Sequence, residues 1–186
     1  NYHKKPSGVF VGDFQEEIGE YVVFPYGNHM MENGVLTFVL PSSYTYTSIE
    51  ADTNSFNPPM LGKIDGPNAQ LRHLGSFFKI SVTNIPAGGE DMKMVFSADK
   101  RITGGFNADP FAETPVINTD DSEGNTVTIY FSNTVSGGSG TFYIPAPLGT
   151  YGSVGVEIFD GDISIDSKTW TDQVVTRMTP KRGAVE

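Results

Sequence analysis

No cysteine occurs among the 186 residues. That excludes a disulfide framework, a thiolate metal site and a cysteine nucleophile. A chain of 20.2 kDa needs no such staples, since it can bury roughly 70% of its unfolded surface. Positive charge is scarce as well: 12 Lys and Arg stand against 22 Asp and Glu, for a net charge of −10. Such a surface repels phosphate backbones and anionic lipid headgroups, so a nucleic-acid partner is not expected. No apolar run approaches the roughly 20 residues of a membrane helix. No signal peptide remains at Asn1, and a start without Met is expected of a processed or partial chain.

Glycine (21) and proline (12) are abundant, as are Phe (13) and Tyr (8). Turn formers with aromatics point to many short strands rather than helices. Period-2 alternation supports this. Phe78, Ile80 and Val82 alternate with polar residues, as do Met92, Met94 and Phe96, Val127, Ile129 and Phe131, and Val154, Val156 and Ile158. Each set places its apolar members on one side of a pleated strand. Further strands are expected at Val9–Phe14, Tyr21–Phe24, Val35–Leu40, Thr141–Ile144, Ile163–Ile165 and Gln173–Met178. No stretch sustains a 3.6-residue period.

The punctuation agrees with this reading. Asp160-Gly161 reads as a two-residue hairpin turn, because glycine tolerates positive φ. Ser136–Gly140 reads as a longer hairpin loop and Ile85–Gly89 as the end of a strand, while 52–69 and 107–121 are the longest irregular stretches. About ten strands predict an all-β fold, an antiparallel Greek-key β-sandwich, with a closed or partly open barrel as the alternative. The expected organisation is one domain, 1–186, with short polar tails at 1–7 and 179–186.

Catalytic signatures are missing. There is no G-x-S-x-G elbow, and the glycine-rich loop at 137–140 lacks the Lys-Ser/Thr of a phosphate loop. His3, His29 and His73 are scattered and suggest no zinc site. The acidic run 118–125 superficially suggests a calcium loop, but Gly124 is misplaced for the EF-hand pattern and no distant Glu follows. It reads as an acidic hairpin loop. No catalytic, cofactor-binding or metal-ligating residues are assigned, and no cofactor is expected. Trp170, Tyr44 and Tyr46 are the candidates for an aromatic glycan-binding platform. Between Ile102 and Ser167 there are nine acids and no Lys or Arg, which reads as solvated loops on an acidic protein or, set against the basic termini, as a charge dipole favouring head-to-tail contact between copies.

A family resemblance runs through the chain in order. Val35–Tyr44 (VLTFVLPSSY), Pro59–Gly62 (PMLG), Leu74–Pro86 (LGSFFKISVTNIP), Arg101–Phe106 (RITGGF), Thr141–Pro145 (TFYIP) and Leu148–Tyr151 (LGTY) together resemble the fimbrillin-like proteins of Bacteroidales. The resemblance covers roughly Val9 to Met178. It implies a transthyretin-like β-sandwich, export as a lipoprotein to the outer membrane or fimbrium, and work as a pilus subunit or cell-surface adhesin without catalysis. It also implies partners that are other pilus or adhesin subunits, joined by exchange of β-strands, and a surface glycan or protein as a further partner. Family precursors carry a lipid-anchoring Cys, so any anchor is expected upstream of Asn1. The first arginine is Arg72, so the early arginine-specific cleavage of some members is not expected here. The isolated chain is expected to be a monomer, with a terminal strand, the one near Val9, serving polymer contacts. The alternative function is an outer-membrane surface glycan-binding module.

Overall fold

The computed structural model describes residues 20–25, 29–32, 35–46, 58–65, 68–87, 89–133, 136–177 and 181–185. Fifteen strands follow one another, and no helix occurs among the described residues. They are β1 (Tyr21–Phe24), β2 (His29–Glu32), β3 (Val35–Leu40), β4 (Ser43–Thr45), β5 (Met60–Asp65), β6 (Asn68–Ala69), β7 (Arg72–His73) and β8 (Ser76–Ile85). Then come β9 (Gly89–Ala98), β10 (Gly104–Ala108), β11 (Thr126–Asn133), β12 (Gly138–Ala146), β13 (Gly149–Asp160), β14 (Ile163–Val175) and β15 (Lys181–Val185). The fold is all-β, and among the described residues the sheets are open and none closes into a barrel.

The larger part is a β-sandwich. One layer has the strand order β14-β13-β9-β11-β4 and the other β12-β8-β15. The four alternating sets seen in the sequence supply most of its core: Phe78, Ile80 and Val82 on β8 face the buried members of β9, β11 and β13. Aromatic rings lock the two layers together, with Phe78 at 4.9 Å from Phe96 and Phe131 at 5.1 Å from Phe142. The strands at Tyr21–Phe24 and Val35–Leu40 also form where expected. They belong to a second buried cluster, in which Leu36, Phe38, Leu40, Phe106 and Ala108 of the sheet β10-β3-β2 meet Leu61, Leu74 and Ile117.

Several expectations are corrected. Ser136–Gly140 is not a hairpin loop, because β11 is already flanked by β9 and β4 while β12 pairs with β8 in the opposite layer. The segment crosses between layers, and β12 begins inside it at Gly138. Asn133 pins this crossing to the β8–β9 crossing: its Nδ2 donates to the carbonyls of Ile85 (3.2 Å) and Pro86 (2.8 Å). The hairpin turn falls one residue later than expected, at Gly161-Asp162, with Gly161 at φ 59°. Ile163–Ile165 and Gln173–Val175 are not separate strands but parts of β14, which runs unbroken through Val175; Met178, the end of the second expected strand, lies outside the described residues. As an edge strand largely in water it has no apolar period to read. Residues 60–65 and 68–69, expected as irregular, form β5 and β6. The sandwich is not purely antiparallel either, since β4 and β15 add in parallel at two edges. The expected strand at Val9–Phe14 lies outside the described residues.

The 179–186 region is the largest correction. Lys181–Val185, expected as part of a polar tail, is a strand paired with Phe78–Val82, and Val185 is buried in the main core.

Candidate interaction surfaces

A sandwich of open sheets leaves edge strands whose unpaired amides can recruit another chain. Each lateral side of this sandwich is instead closed by one aromatic residue. On the first side, Tyr46 follows β4 and its ring lies 5.2 Å from Phe142. Its hydroxyl accepts from the backbone N–H of Tyr143 at 3.0 Å, an edge amide of β12. Two residues on, Pro145 has no N–H to offer, which suits an edge position. Burial raises the Tyr46 hydroxyl above its usual titration range, partly offset by the contact with the Tyr143 backbone. Replacing Tyr46 by Phe is expected to cost about 1–2 kcal/mol, because the Tyr143 N–H loses its partner. Urea unfolding of the variant checks this, and an unchanged midpoint would show that water serves the amide equally well.

On the second side, Trp170 of β14 reaches across to β15. A Cβ added at Gly183 would stand 2.8 Å from Trp170 Cζ2 and 3.2 Å from Ile80 Cδ1. The indole therefore packs directly on the β15 backbone. β15 pairs with the first half of β8, with Val185 opposite Val82. A cavity of about 310 Å³ lies along the second half of β8, lined by Val82, Thr83, Ile85, Ile158, Ile165 and Asp166 among others.

These placements decide the fate of the expected glycan platform. Tyr46 is buried, while Tyr44 and Trp170 are half-buried against the main core. Desolvation pushes the Tyr44 hydroxyl well above its ordinary range. The three rings serve packing on opposite sides of the sandwich and form no shared exposed face. Tyr44 also borders a cleft of about 370 Å³ at the junction of the two cores, walled by Pro25, Pro41, Pro59 and Pro145.

The acidic run 118–125 is a loop stapled to 101–103. Asp120 accepts from the Ser122 N–H at 2.9 Å and from Arg101 at 2.7 Å, and Asp121 pairs with Lys100 at 2.6 Å. Ile102 and Thr103 both donate their N–H to the Gly124 carbonyl. The carboxylates are turned onto cations rather than towards one another. The Ser122 N–H, then Arg101, holds the Asp120 carboxyl below the usual carboxylate range. A depressed carboxyl stabilises the fold above its unfolded pKa and loses that contribution as pH falls through the lower, folded one. Asp120→Asn is therefore expected to lower the melting temperature at neutral pH and to leave it unchanged well below the carboxylate range. Millimolar calcium should not raise it. A calcium-dependent rise of several degrees, abolished by this substitution, would overturn the assignment.

His73 lies on the two-residue β7, paired with Met60. Among the described residues no three His, Asp or Glu side chains gather as a metal-binding group. Sequence reasoning missed β15 altogether, because KRGAV has no apolar alternation to read and its contact with Trp170 falls on a glycine. The molecule thus defines a β-sandwich whose salient features are edges and latches. No protein-family model and no curated protein matches the chain.

Proposed function

We propose that this chain is a fimbrillin-like pilus structural subunit or cell-surface adhesin, exported to the outer membrane or fimbrium and without catalytic activity. It acts through β-strand-mediated assembly with other subunits and is a monomer until a strand is exchanged. The observation that carries the reading is β15: a short parallel edge strand of five residues, with Val185 buried in the main core and the Trp170 indole packed on its backbone at Gly183. An extended segment bound by main-chain hydrogen bonds and alternate apolar side chains is the basis of strand addition. The ordered resemblance to fimbrillin-like proteins supports the same conclusion. The segment near Val9, expected from sequence to serve this role, lies outside the described residues; β15 is the described terminal strand that suits it. The alternative of a glycan-binding module built on Trp170, Tyr44 and Tyr46 loses its main support, since those rings are engaged in packing.

The experiment is exchange into the intact protein. A fluorescent peptide with the sequence of residues 178–186 is incubated with excess unlabelled protein near the onset of unfolding. Incorporation that survives gel filtration is expected, and a peptide carrying Gly183→Leu should fail to enter. Equal behaviour of the two peptides, or no incorporation, sinks the proposal.

A further inference from the structure

The cleft of about 370 Å³ at the junction of the two cores takes no part in strand exchange. Its size falls in the range of small-ligand sites. The chain carries 12 Lys and Arg and 22 Asp and Glu, yet no charged residue lines this cleft. Its walls are prolines and apolar side chains, and the polar side chains in them are those of β4, Ser43, Tyr44 and Thr45. Proline brings no N–H donor, so the cleft presents apolar surface and hydroxyls. None of the three hydroxyls is in a hydrogen bond with a described residue. Tyr44 packs against the main core, and burial strips its O–H of water without giving it a protein partner. A desolvated donor costs free energy until something bonds to it.

A flat platform adjoins the cleft. Alternation with the buried Ile129 and Phe131 turns Tyr130 of β11 outward, where it is 49% exposed. Among the described residues its ring has no ring contact and its hydroxyl no hydrogen bond. In register Tyr130 stands between Thr45 on β4 and Lys93 on β9. Thr45 therefore belongs to both parts, for it lines the cleft and neighbours Tyr130 across one strand spacing of about 4.8 Å. Lys93 on the other side is already engaged, with Nζ 3.2 Å from Asp162 and 5.1 Å from the centre of the Phe159 ring. Nothing in either part calls for charge in a ligand.

We infer that the cleft and the Tyr130 ring together bind a neutral oligosaccharide. A pyranose has C–H faces for the apolar walls and for the electron-rich face of a tyrosine ring. It also has hydroxyls for the O–H groups of Ser43, Tyr44 and Thr45. One sugar sits in the cleft and the next on Tyr130. Tyr44 takes part through its hydroxyl, since its ring is committed to the core. A neutral chain meets no repulsion from a protein of net charge −10. The inference rests on the adhesin half of the proposed function and names its partner class. It needs no strand exchange, so the two fail separately.

The test is affinity electrophoresis of the intact protein in native gels carrying mannan, galactomannan, a soluble β-glucan or dextran. Calorimetric titration with oligosaccharides cut from the retarding polymer follows. Retardation by at least one polymer is expected, and the titrated affinity should hold from about 50 mM to about 500 mM salt, because no ion pair forms. Tyr130→Ala and Tyr44→Phe should each weaken binding about fivefold or more, the first by losing a stacking ring and the second a hydrogen bond. Circular dichroism checks the fold of both. Ile163→Ser, at an exposed site on β14, should bind as the parent does. No retardation by any of the four polymers overturns the inference. So does binding that Tyr130→Ala and Tyr44→Phe leave unchanged, for the sugar then lies elsewhere, and so does binding that salt abolishes. A proline-rich peptide that binds where the polymers do not, with the same losses in the two variants, would give the cleft to a protein partner and equally overturn it.

Discussion

Gly183→Leu is expected to destabilise the protein by about 2–3 kcal/mol, the upper range of overpacking in a filled site. Even the first added carbon would stand 2.8 Å from Trp170 Cζ2 and 3.0 Å from Cη2. The indole cannot yield inward, because it already packs on the main core, nor can β15 retreat without withdrawing Val185. The melting temperature should fall by roughly 5–10 °C, and protection of the β8 amides facing β15 should fall with it. Trp170→Ala alone loses packing. Combined with Gly183→Leu, it should recover part of the loss, because the two residues share one volume and their effects are not additive. Hydrogen exchange and thermal unfolding of the four proteins check this. Strict additivity would mean that β15 and Trp170 do not hold one another.

Gly75→Ala is expected to cost a similar amount, about 2–3 kcal/mol, for a different reason. Its added carbon would lie 2.4 Å from the backbone oxygen of Ala146 on β12, with Ile117 Cγ1 at 3.6 Å. The obstacle is a strand backbone, which cannot rotate away as a side chain can. Gly75 follows Leu74 of the second cluster and precedes β8 of the main sandwich. A shift there strains both cores. Gly137→Ala provides the contrast, since nothing lies within 4 Å of its added carbon. Its cost comes only from φ 72° and should be about 1 kcal/mol. Urea unfolding of the two variants decides the matter, and equal effects would remove the claim that Gly75 sits at a close approach.

Legibility followed burial. Phe78, Ile80 and Val82, and the matching triples on β9, β11 and β13, could be read because one face of each strand is in the core and the other is not. That asymmetry writes a period of two into the residues themselves. β14 could not be read as one strand, because its edge position leaves most of both faces in water. Tyr46 and Trp170 looked like candidates for ligand contact, since the sequence shows ring chemistry but not what lies against the ring. Their actual neighbours, the Tyr143 amide and the Gly183 backbone, are 97 and 13 positions away in the chain.

Composition and alternation by themselves determined that this chain is all-β, that four alternating strands supply much of the sandwich core, and that its net charge is strongly negative. These are local properties, carried by residues one or two apart. Which strands pair, which layer each joins and which edges are left open belonged to the tertiary structure alone. Backbone hydrogen bonds are the same for every sequence, so a strand does not name its partner. The partner is set by which apolar faces can be buried together, and that depends on the whole chain at once.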